Sequence, residues 1–552
     1  MEMGLDFAIP TYSGGMGVLA GDTLRAAADM GIPMVGVTLL YRQGQFRQHL
    51  DSQGIQSESP ASWSPKQLLE PLPARVSIDM QGRTIHLCAW RYQVRGVTGH
   101  SVPVYLLDTA LAENLRFDQT LTDHLYGGDE YYRLCQEVIL GLGGVVMLRS
   151  LGYGSFETYH MNEGHAALVP LALLEEQTGG RDLSRVTSAD IEMVRRLCVF
   201  TVHTPVAAGH DRFSLELVGR VLGPERTRLL LSVEGCRDDV LDLSCLAASF
   251  SHHVNAVSSR HAEISRDMFP NRTLHPITNG VHALTWTAPS FREVYDRHIP
   301  EWQRDNVYLR YAVRIPLEEI QRAHALAKRE LLREVEQRTG VGLDPGAMTI
   351  GFARRATAYK RADLVFSSLD RLKEISRQVG PLQLIFGGKA HPRDAAGKAI
   401  IQRIFEAAAA LGGSVHVVYL EEYDMALARY LCSGVDLWLN TPQRPLEASG
   451  TSGMKAALNG VPTLSVLDGW WLEGHVEGVT GWSIGNGLDE AGPGDDASSL
   501  YNKLEYVVLP MYYGRPSAYA EVMRSAIALN GSFFNTHRML QQYLLNAYMP
   551  GE

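Results

Sequence analysis

Two short segments concentrate residue types that bind anions. In Arg354-Arg355-Ala356-Thr357-Ala358-Tyr359-Lys360-Arg361, four cations fall within eight residues. Such a cluster repels itself unless anions neutralise it. Arginine offers planar two-point contacts to phosphate, and lysine offers a point charge. The second segment, Glu447-Ala448-Ser449-Gly450-Thr451-Ser452-Gly453-Met454-Lys455, combines small residues, hydroxyls and a lysine. As a loop that opens a helix, it presents free N–H groups and the positive end of a helix dipole to an anion. A lysine there pairs with phosphate or forms a Schiff base with an aldehyde. On these residues alone, a solvated basic turn and a crossover loop with a surface lysine remain open.

Three further segments carry weaker signals. Ser13-Gly14-Gly15-Met16-Gly17 is a glycine-rich turn ahead of a helix. His160-Met161-Asn162-Glu163-Gly164-His165 follows a strand; two histidines five apart fit a polar substrate loop or a satisfied structural turn better than a metal site, since no third ligand is evident. In Asn279-Gly280-Val281-His282, with Trp286 beyond, the amide and imidazole supply hydrogen bonds and the indole can stack on a sugar ring. An ordinary Asn-Gly turn is the alternative.

The elements that must position these loops alternate between strand and helix, which implies parallel sheets with helical crossovers. A helix over 18–30 ends at Gly31, followed by a strand over 34–41. Strands near 75–80, 84–92 and 102–107 read as a small antiparallel insertion, about 74–108. A helix at 129–150 and strands at 155–161, 198–203 and 254–257 follow. A long amphipathic helix, 317–336, separates two halves. The second half has strands at 348–353, 382–386, 415–419, 435–439 and 461–466, with helical runs at 362–378, 424–433 and 453–459. Helices at about 515–529 and 534–547 end it. Open parallel sheets bind ligands beyond the C-terminal ends of their strands, so ligand-facing loops of the two halves are expected to meet in a cleft.

The 552 residues carry 51 basic and 61 acidic side chains, a formal charge of −10, and 45% hydrophobic residues. That balance argues against a nucleic-acid binder or an anionic-membrane partner, and no apolar run is long enough for a span. The six cysteines form no CxxC pair and fit reduced thiols in the cytoplasm. No metal is expected.

Taken together, the segments resemble the α-glucan phosphorylase family (glycogen, starch and maltodextrin phosphorylases), closest in style to its shorter bacterial and archaeal branch. The resemblance runs in order from about Gly14 to about Asp468. Glu447 to Lys455 is similar to the family's Glu-Ala-Ser-Gly-Thr-x-x-Met-Lys, whose lysine holds pyridoxal 5'-phosphate. Gly387-Gly388-Lys389-Ala390, Asn279-Gly280 with Trp286, and Tyr359-Lys360-Arg361 match in position. The resemblance implies two Rossmann-like domains facing a deep cleft, the two-domain glycosyltransferase fold: an N-terminal domain over 1–310 with glucan-binding loops, a cofactor-binding domain over 311–514, and C-terminal helices over 515–552 that pack back on the first. It implies retaining phosphorolysis of α-1,4-glucan by inorganic phosphate to α-glucose 1-phosphate, and a homo-oligomer is compatible with it.

Carried over residue by residue, Lys455 is the Schiff-base lysine. Arg354, Gly15 and Thr451 lie by the cofactor phosphate. Lys360 and Arg355 bind phosphate and act in catalysis together with His165 and Glu447. Gly14, Asn279, Tyr359, Ser449 and Gly450 bind substrate, and Asp129, in Tyr126-Gly127-Gly128-Asp129, lies on the loop at the cleft entrance. The chain departs from the animal and plant enzymes at Arg354, where they have lysine, and at Asp424, where they have arginine. Their long regulatory N-terminal region has no counterpart, so allosteric control of that type is not expected. Glu2-Met3-Gly4 is a stub of the strand that ought to precede the glycine loop. A nucleotide-sugar glucosyltransferase of glycogen-synthase type, and an inactive glucan-binding relative, are the alternatives.

Overall fold

The computed structural model describes residues 2–179, 183–206, 209–233, 236–237, 239–487 and 493–549. The chain divides into two compact units. One comprises Met1–Gln45, Pro60–Thr278 and Leu540–Glu552; the other comprises Phe46–Ser59 and Asn279–Met539. Both are mixed α/β with parallel sheets.

In the first unit, the helix Gly15–Met30 ends at Gly31, whose φ of 69° is the left-handed conformation that glycine adopts without strain. The strand Gly36–Leu39 follows. It pairs in parallel with Ser101–Asp108, from Gly36 opposite Val104 to Leu39 opposite Leu107. Arg83–Arg95 and Glu70–Met80 extend that sheet antiparallel. The expected insertion therefore begins earlier, at Glu70, and continues the sheet rather than standing apart from it, because its last strand, apolar from Val104 to Leu107, is buried beside Gly36–Leu39. A second, all-parallel sheet has the order Leu274–Pro276, His253–Ala256, Cys198–Val202, Tyr159–Asn162. Its first strand starts at Tyr159, opposite Cys198, rather than at 155. The helix expected over 129–150 consists of Glu130–Val138 and Gly144–Ser150 joined by a π turn at Ile139–Gly143. Residues 2–4 join none of the described sheets. Met3 N–H bonds Thr11 and Gly4 N–H bonds Gly17, at 2.9 and 2.7 Å.

A buried polar cluster crosses the second sheet. His160 lies between the Tyr548 hydroxyl (2.6 Å) and Thr201 Oγ1 (2.7 Å), and Thr201 also donates to Asn255 Oδ1 at 2.7 Å. Asn255 Nδ2 donates to the Tyr543 hydroxyl at 3.0 Å. Burial pushes the His160 pKa down to about 3, which keeps the ring neutral.

The second unit holds a six-stranded parallel sheet. In chain order its strands are Met348–Ala353, Leu382–Gly387, His416–Leu420, Leu437–Asn440, Thr463–Val466 and Gly481–Ile484, and their order across the sheet is 3-2-1-4-5-6. The first five strands fall within two residues of the sequence reading; all but His416–Leu420, which is partly exposed, are fully buried runs between glycines and polar turns. The run at 362–378 splits instead into a 3-10 turn, Leu364–Phe366, and a helix, Leu369–Gln378, since the Ser368 hydroxyl accepts from Arg371 N–H and starts the helix anew. The helix Leu317–Thr339 packs on this sheet. From it Lys328 Nζ reaches Asp436 Oδ2 at 2.6 Å and His324 Nε2 reaches Oδ1 at 2.9 Å, while the same carboxylate accepts from Thr349 N–H.

A hairpin, Arg47–Leu50 with Gln56–Ser59, belongs to this unit although the chain on both sides of it belongs to the first. Gln48 Nε2 donates to the Gly388 carbonyl (2.9 Å). The Gln56 amide exchanges two bonds with the backbone of Ala390, at 2.8 and 3.0 Å. The sequence reading contains no sign of this hairpin, whose faces are polar and whose partners lie 340 and 334 residues away. No described helix is long and apolar enough to cross a membrane.

Candidate functional site

The two strongest sequence segments follow the two central strands of the six-stranded sheet, Met348–Ala353 and Leu437–Asn440. There the crossovers diverge to opposite sides, and an open α/β sheet leaves a crevice beyond the strand ends. The loops are tied to each other. Arg361 donates to the carbonyls of Thr441 (2.9 Å) and Pro442 (2.8 Å), and Gln443 N–H bonds the Tyr359 carbonyl at 2.7 Å. On its other side the basic loop lies against Gly387–Ala390, with Arg354 N–H on Gly387 and Ala356 N–H on Lys389. Gly388 has φ 145°, and a Cβ there would stand 1.9 Å from the Arg354 carbonyl oxygen. Only glycine permits that approach.

The anion that the four clustered cations require is supplied first by the chain itself. Glu447 accepts from Lys360 Nζ at 2.7 and 3.0 Å and pairs with Arg354 Nη2 at 2.7 Å; all three side chains are buried. Burial alone would raise the Glu447 pKa, but Arg354 and Lys360 outweigh it and hold the carboxyl at about 2. Burial, and next the like charge of Arg354, pushes Lys360 down to about 7 against the pull of Glu447. Arg361 pairs with Asp496 at 2.6 Å. Arg355 is exposed and makes no hydrogen bond or ion pair with a described residue, so it is the cation of the loop left for an incoming anion. Tyr359 lies under Lys360 Nζ, 4.5 Å from its ring centroid, and burial raises its hydroxyl pKa.

Asp468 completes this arrangement and was not singled out from the sequence. Its Oδ2 accepts from Glu447 N–H and its Oδ1 from Gly469 N–H, both at 2.9 Å, and Trp470 N–H bonds the Ser449 carbonyl. Burial raises the Asp468 carboxyl to about 6. A turn acid after a strand end is its only sequence signal.

Lys455 sits in the short helix Ser452–Ala457 and is buried, with Nζ 3.8 Å from the centre of the Trp286 ring. Trp286 is 0% exposed. It clasps the lysine and offers no open face, which corrects the expectation that it stacks on a sugar. Thr451 stands at the N-cap of that helix without a side-chain cap bond, and Gly450 has φ 82° beside the Glu447 side chain. Ser449 Oγ and Asn279 Oδ1 are buried with no hydrogen-bond partner among the described residues. Asn279 and Gly280 are held by the segment 534–538: Val281 N–H bonds the Phe534 carbonyl, and Arg538 donates to the Asn279 carbonyl at 2.9 Å. A buried amine and orphaned polar atoms on one unit fit a bound aldehyde cofactor and a polyhydroxy ligand, since groups of this kind are rarely left without partners. Lys389 is engaged elsewhere, with Glu422 at 2.6 Å and the Phe46 carbonyl at 3.1 Å.

In the first unit, the glycine loop is also closed by a carboxylate of the chain. Glu2, 3% exposed, accepts from the N–H groups of Ser13 and Gly14 (2.9 Å to Gly14) and from the Tyr126 hydroxyl (3.1 Å). Gly15 is the first residue of the helix that follows. His165 packs at 5.9 Å from the Tyr126 ring, and its Nδ1 lies 3.1 Å from Asp211 Oδ2 and 3.3 Å from Glu137 Oε1, with Arg133 bridging both acids. Burial opposes the charged ring, yet Glu137 and Asp211 raise the His165 pKa. The two histidines of the motif therefore diverge: His160 enters the sheet cluster and His165 this charged one. Glu163 accepts from His203 N–H (2.9 Å) and from Thr204 Oγ1 (3.0 Å), and His203 Nε2 bonds Asn162 Oδ1. His203 was missed from the sequence, although it stands directly beyond the strand Cys198–Val202. Asp129, exposed, caps the helix Glu130–Val138 by accepting from Tyr132 N–H at 2.9 Å.

The parallel sheets, the charge-paired basic loop and the clasped lysine define an α/β protein with polar loops set at its strand ends. The family model for carbohydrate phosphorylase matches residues 211–477. The maltodextrin phosphorylase of Thermococcus litoralis is 38% identical over 99% of this chain and 70% of its own length. Glycogen phosphorylases of Mycobacterium tuberculosis (36%, covering 100% and 70%) and Aquifex aeolicus (34%, covering 99% and 85%) are similar along the same extent. The chain belongs to the carbohydrate phosphorylase family.

Proposed function

We propose that the protein is an α-glucan phosphorylase that uses pyridoxal 5'-phosphate to transfer the non-reducing-end glucosyl unit of an α-1,4-glucan to inorganic phosphate, giving α-D-glucose 1-phosphate. The observation that carries this reading is the buried Lys455 amine at the opening of a helix, in a loop tied through Glu447 to Arg354 and Lys360. In it, Lys455 holds the cofactor, with Arg354, Thr451 and Gly15 beside its phosphate. When bound, the cofactor supplies a phosphate monoester whose second pKa, near 6, suits proton exchange at neutral pH.

Lys360 and Arg355 hold the substrate phosphate, whose proton goes to the glycosidic oxygen as the C1–O bond breaks and whose oxygen then takes C1. Charge accounting explains why Glu447 sits between two cations. Arriving phosphates give Arg354 and Lys360 new partners, and the carboxylate is then released to accept from sugar hydroxyls. Asn279, Tyr359, Ser449, Gly450 and His165 contribute the other sugar contacts, with Gly14 and Asp129 on their own loops. Since phosphate is the acid, no pair of catalytic carboxylates at glycosidase spacing is needed. The reading takes the two units as the Rossmann-like domains of the family, and the free thiols of Cys88, Cys135, Cys198 and Cys432 suit the cytoplasm.

The test is release of glucose 1-phosphate from maltodextrin and phosphate, with and without added pyridoxal phosphate, followed by borohydride fixation and peptide mapping. Label on Lys455 is expected. Label on Lys360 or Lys389 instead, or turnover indifferent to the cofactor, would overturn the reading.

A further inference from the structure

Lysine carries its amine on a flexible four-carbon stem, and the helix that bears Lys455 has only six residues. Something else must fix where that amine stands. The Lys455 carbonyl is skipped by the helical ladder: Asn459 N–H bonds Ala456 instead, at 2.9 Å. The Asn459 side chain takes the vacated role. Its Nδ2 donates to the Lys455 carbonyl at 3.0 Å and to the Trp286 carbonyl at 2.8 Å, and its Oδ1 accepts from Ala288 N–H at 2.7 Å. Asn459 is 0% exposed. One amide therefore joins the backbone of the lysine to the backbone on both sides of Thr287, and the indole of Trp286 is the face against which Nζ rests. The adjoining turn is closed by the Tyr295 hydroxyl on the Leu458 carbonyl at 2.6 Å.

We propose that Asn459 is a positioning residue for the cofactor lysine: its amide locks the Trp286 segment to the Lys455 turn, so that the indole face holds the amine in one orientation. The inference rests on the cofactor reading above. Neither aspartate nor alanine reproduces the lock. A carboxylate can accept from Ala288 N–H, but it has no donor for the two carbonyls and sets negative oxygens against them.

The experiment uses the full chain, pyridoxal 5'-phosphate as probe, and Asn459→Ala, Asn459→Asp and, as a control for loss of a buried amide, Asn306→Ala, whose side chain donates to the Trp302 carbonyl, away from Lys455 and Trp286. Three quantities are measured: half-saturation by pyridoxal phosphate, the share of borohydride-fixed label found on Lys455, and the induced circular dichroism of the bound cofactor's absorbance band. Both Asn459 variants are expected to raise half-saturation by about tenfold or more, since misplacement by about 1 Å is costly for a reacting pair. They should also spread label to other lysines and weaken or invert the ellipticity, and Asn306→Ala should change none of these. Merely lower stability would change the melting temperature without redirecting the label. If the Asn459 variants do not fold, Trp286→Leu carries the test, with the same redistribution expected. Unchanged label and ellipticity in the folded variants would overturn the proposal. Absence of label at Lys455 in the unaltered chain would instead overturn the cofactor reading.

Discussion

The glycine loop of the first unit and the basic loop of the second were both read as anion sites, and each is closed by a carboxylate of its own chain. The donors differ. At Ser13 and Gly14 they are backbone N–H groups that Glu2 accepts from, at the start of a helix. At Arg354 and Lys360 they are buried side-chain charges around Glu447. An N–H group at a helix start can turn to water when its acceptor leaves. A buried cation has no such recourse and demands a counter-charge at all times. The resident carboxylate is therefore a convenience in the first loop and an obligation in the second.

The largest expected effect is on Lys360→Ala. Removing a charge that meets the substrate phosphate should lower kcat/KM by about 1000-fold, roughly 4 kcal/mol, while stability holds, because Arg354 still pairs with Glu447. Near-normal phosphorolysis would reduce the basic loop to a salt-bridged turn.

Next comes Glu447→Gln, which leaves two buried cations facing each other. A loss of about 3 kcal/mol is expected, read by denaturant melts, with phosphate restoring part of it. The pH dependence of the unaltered chain gives a second handle. The folded Glu447 pKa, about 2, lies below its ordinary 4.5, so its contribution is complete above pH 4.5 and is lost as pH falls toward 2. The folded Lys360 pKa, about 7, lies below 10.5, so the unfolded chain binds more protons between those values and stability rises with pH across that window. A shallower acid limb in Glu447→Gln than in the parent would sharpen the assignment, while Glu163, Asp436 and Glu477, also held low, keep some slope in both.

Glu2→Gln should cost only about 1 kcal/mol, the ordinary net value of hydrogen bonds at a loop. If it costs as much as Glu447→Gln, the contrast between the two loops fails. The smallest effect belongs to Asp129→Ala: about 1 kcal/mol of helix capping and little change in KM for maltodextrin, since its carboxylate is engaged with Tyr132 N–H. A KM increase without loss of stability would instead support a substrate role.

Much of the second unit was legible in the sequence because most of its strands are buried on both faces and read as mainly apolar runs, Met348–Ala353 and Leu382–Gly387 among them. The candidate loops were legible because they begin where those runs stop. What was not legible depends on distant partners. That Glu447 neutralises Lys360 needs a contact across 87 residues. That Trp286 faces Lys455 rather than a sugar, and that Gln48 and Gln56 serve Gly388 and Ala390, are likewise decided by tertiary neighbours with no local pattern. His203 and Asp468 were passed over because a single polar residue after a strand is common, and only the bonds to Glu163 and Glu447 distinguish them.

The chain passes between the two units four times, near residues 45, 59, 278 and 539. For a protein made from its N-terminus at roughly 5–20 residues per second, this sets a timetable. The first unit must wait roughly 15 to 55 seconds after its own sheets are complete before Tyr543 and Tyr548 arrive to seal the His160–Thr201–Asn255 cluster. The hairpin at 47–59, by contrast, emerges hundreds of residues before the loop it braces. Neither unit exists as one uninterrupted stretch of polypeptide, so the second unit's hairpin is held in reserve until Gly388 and Ala390 have been made, and the first unit stays open until Tyr543 and Tyr548 follow.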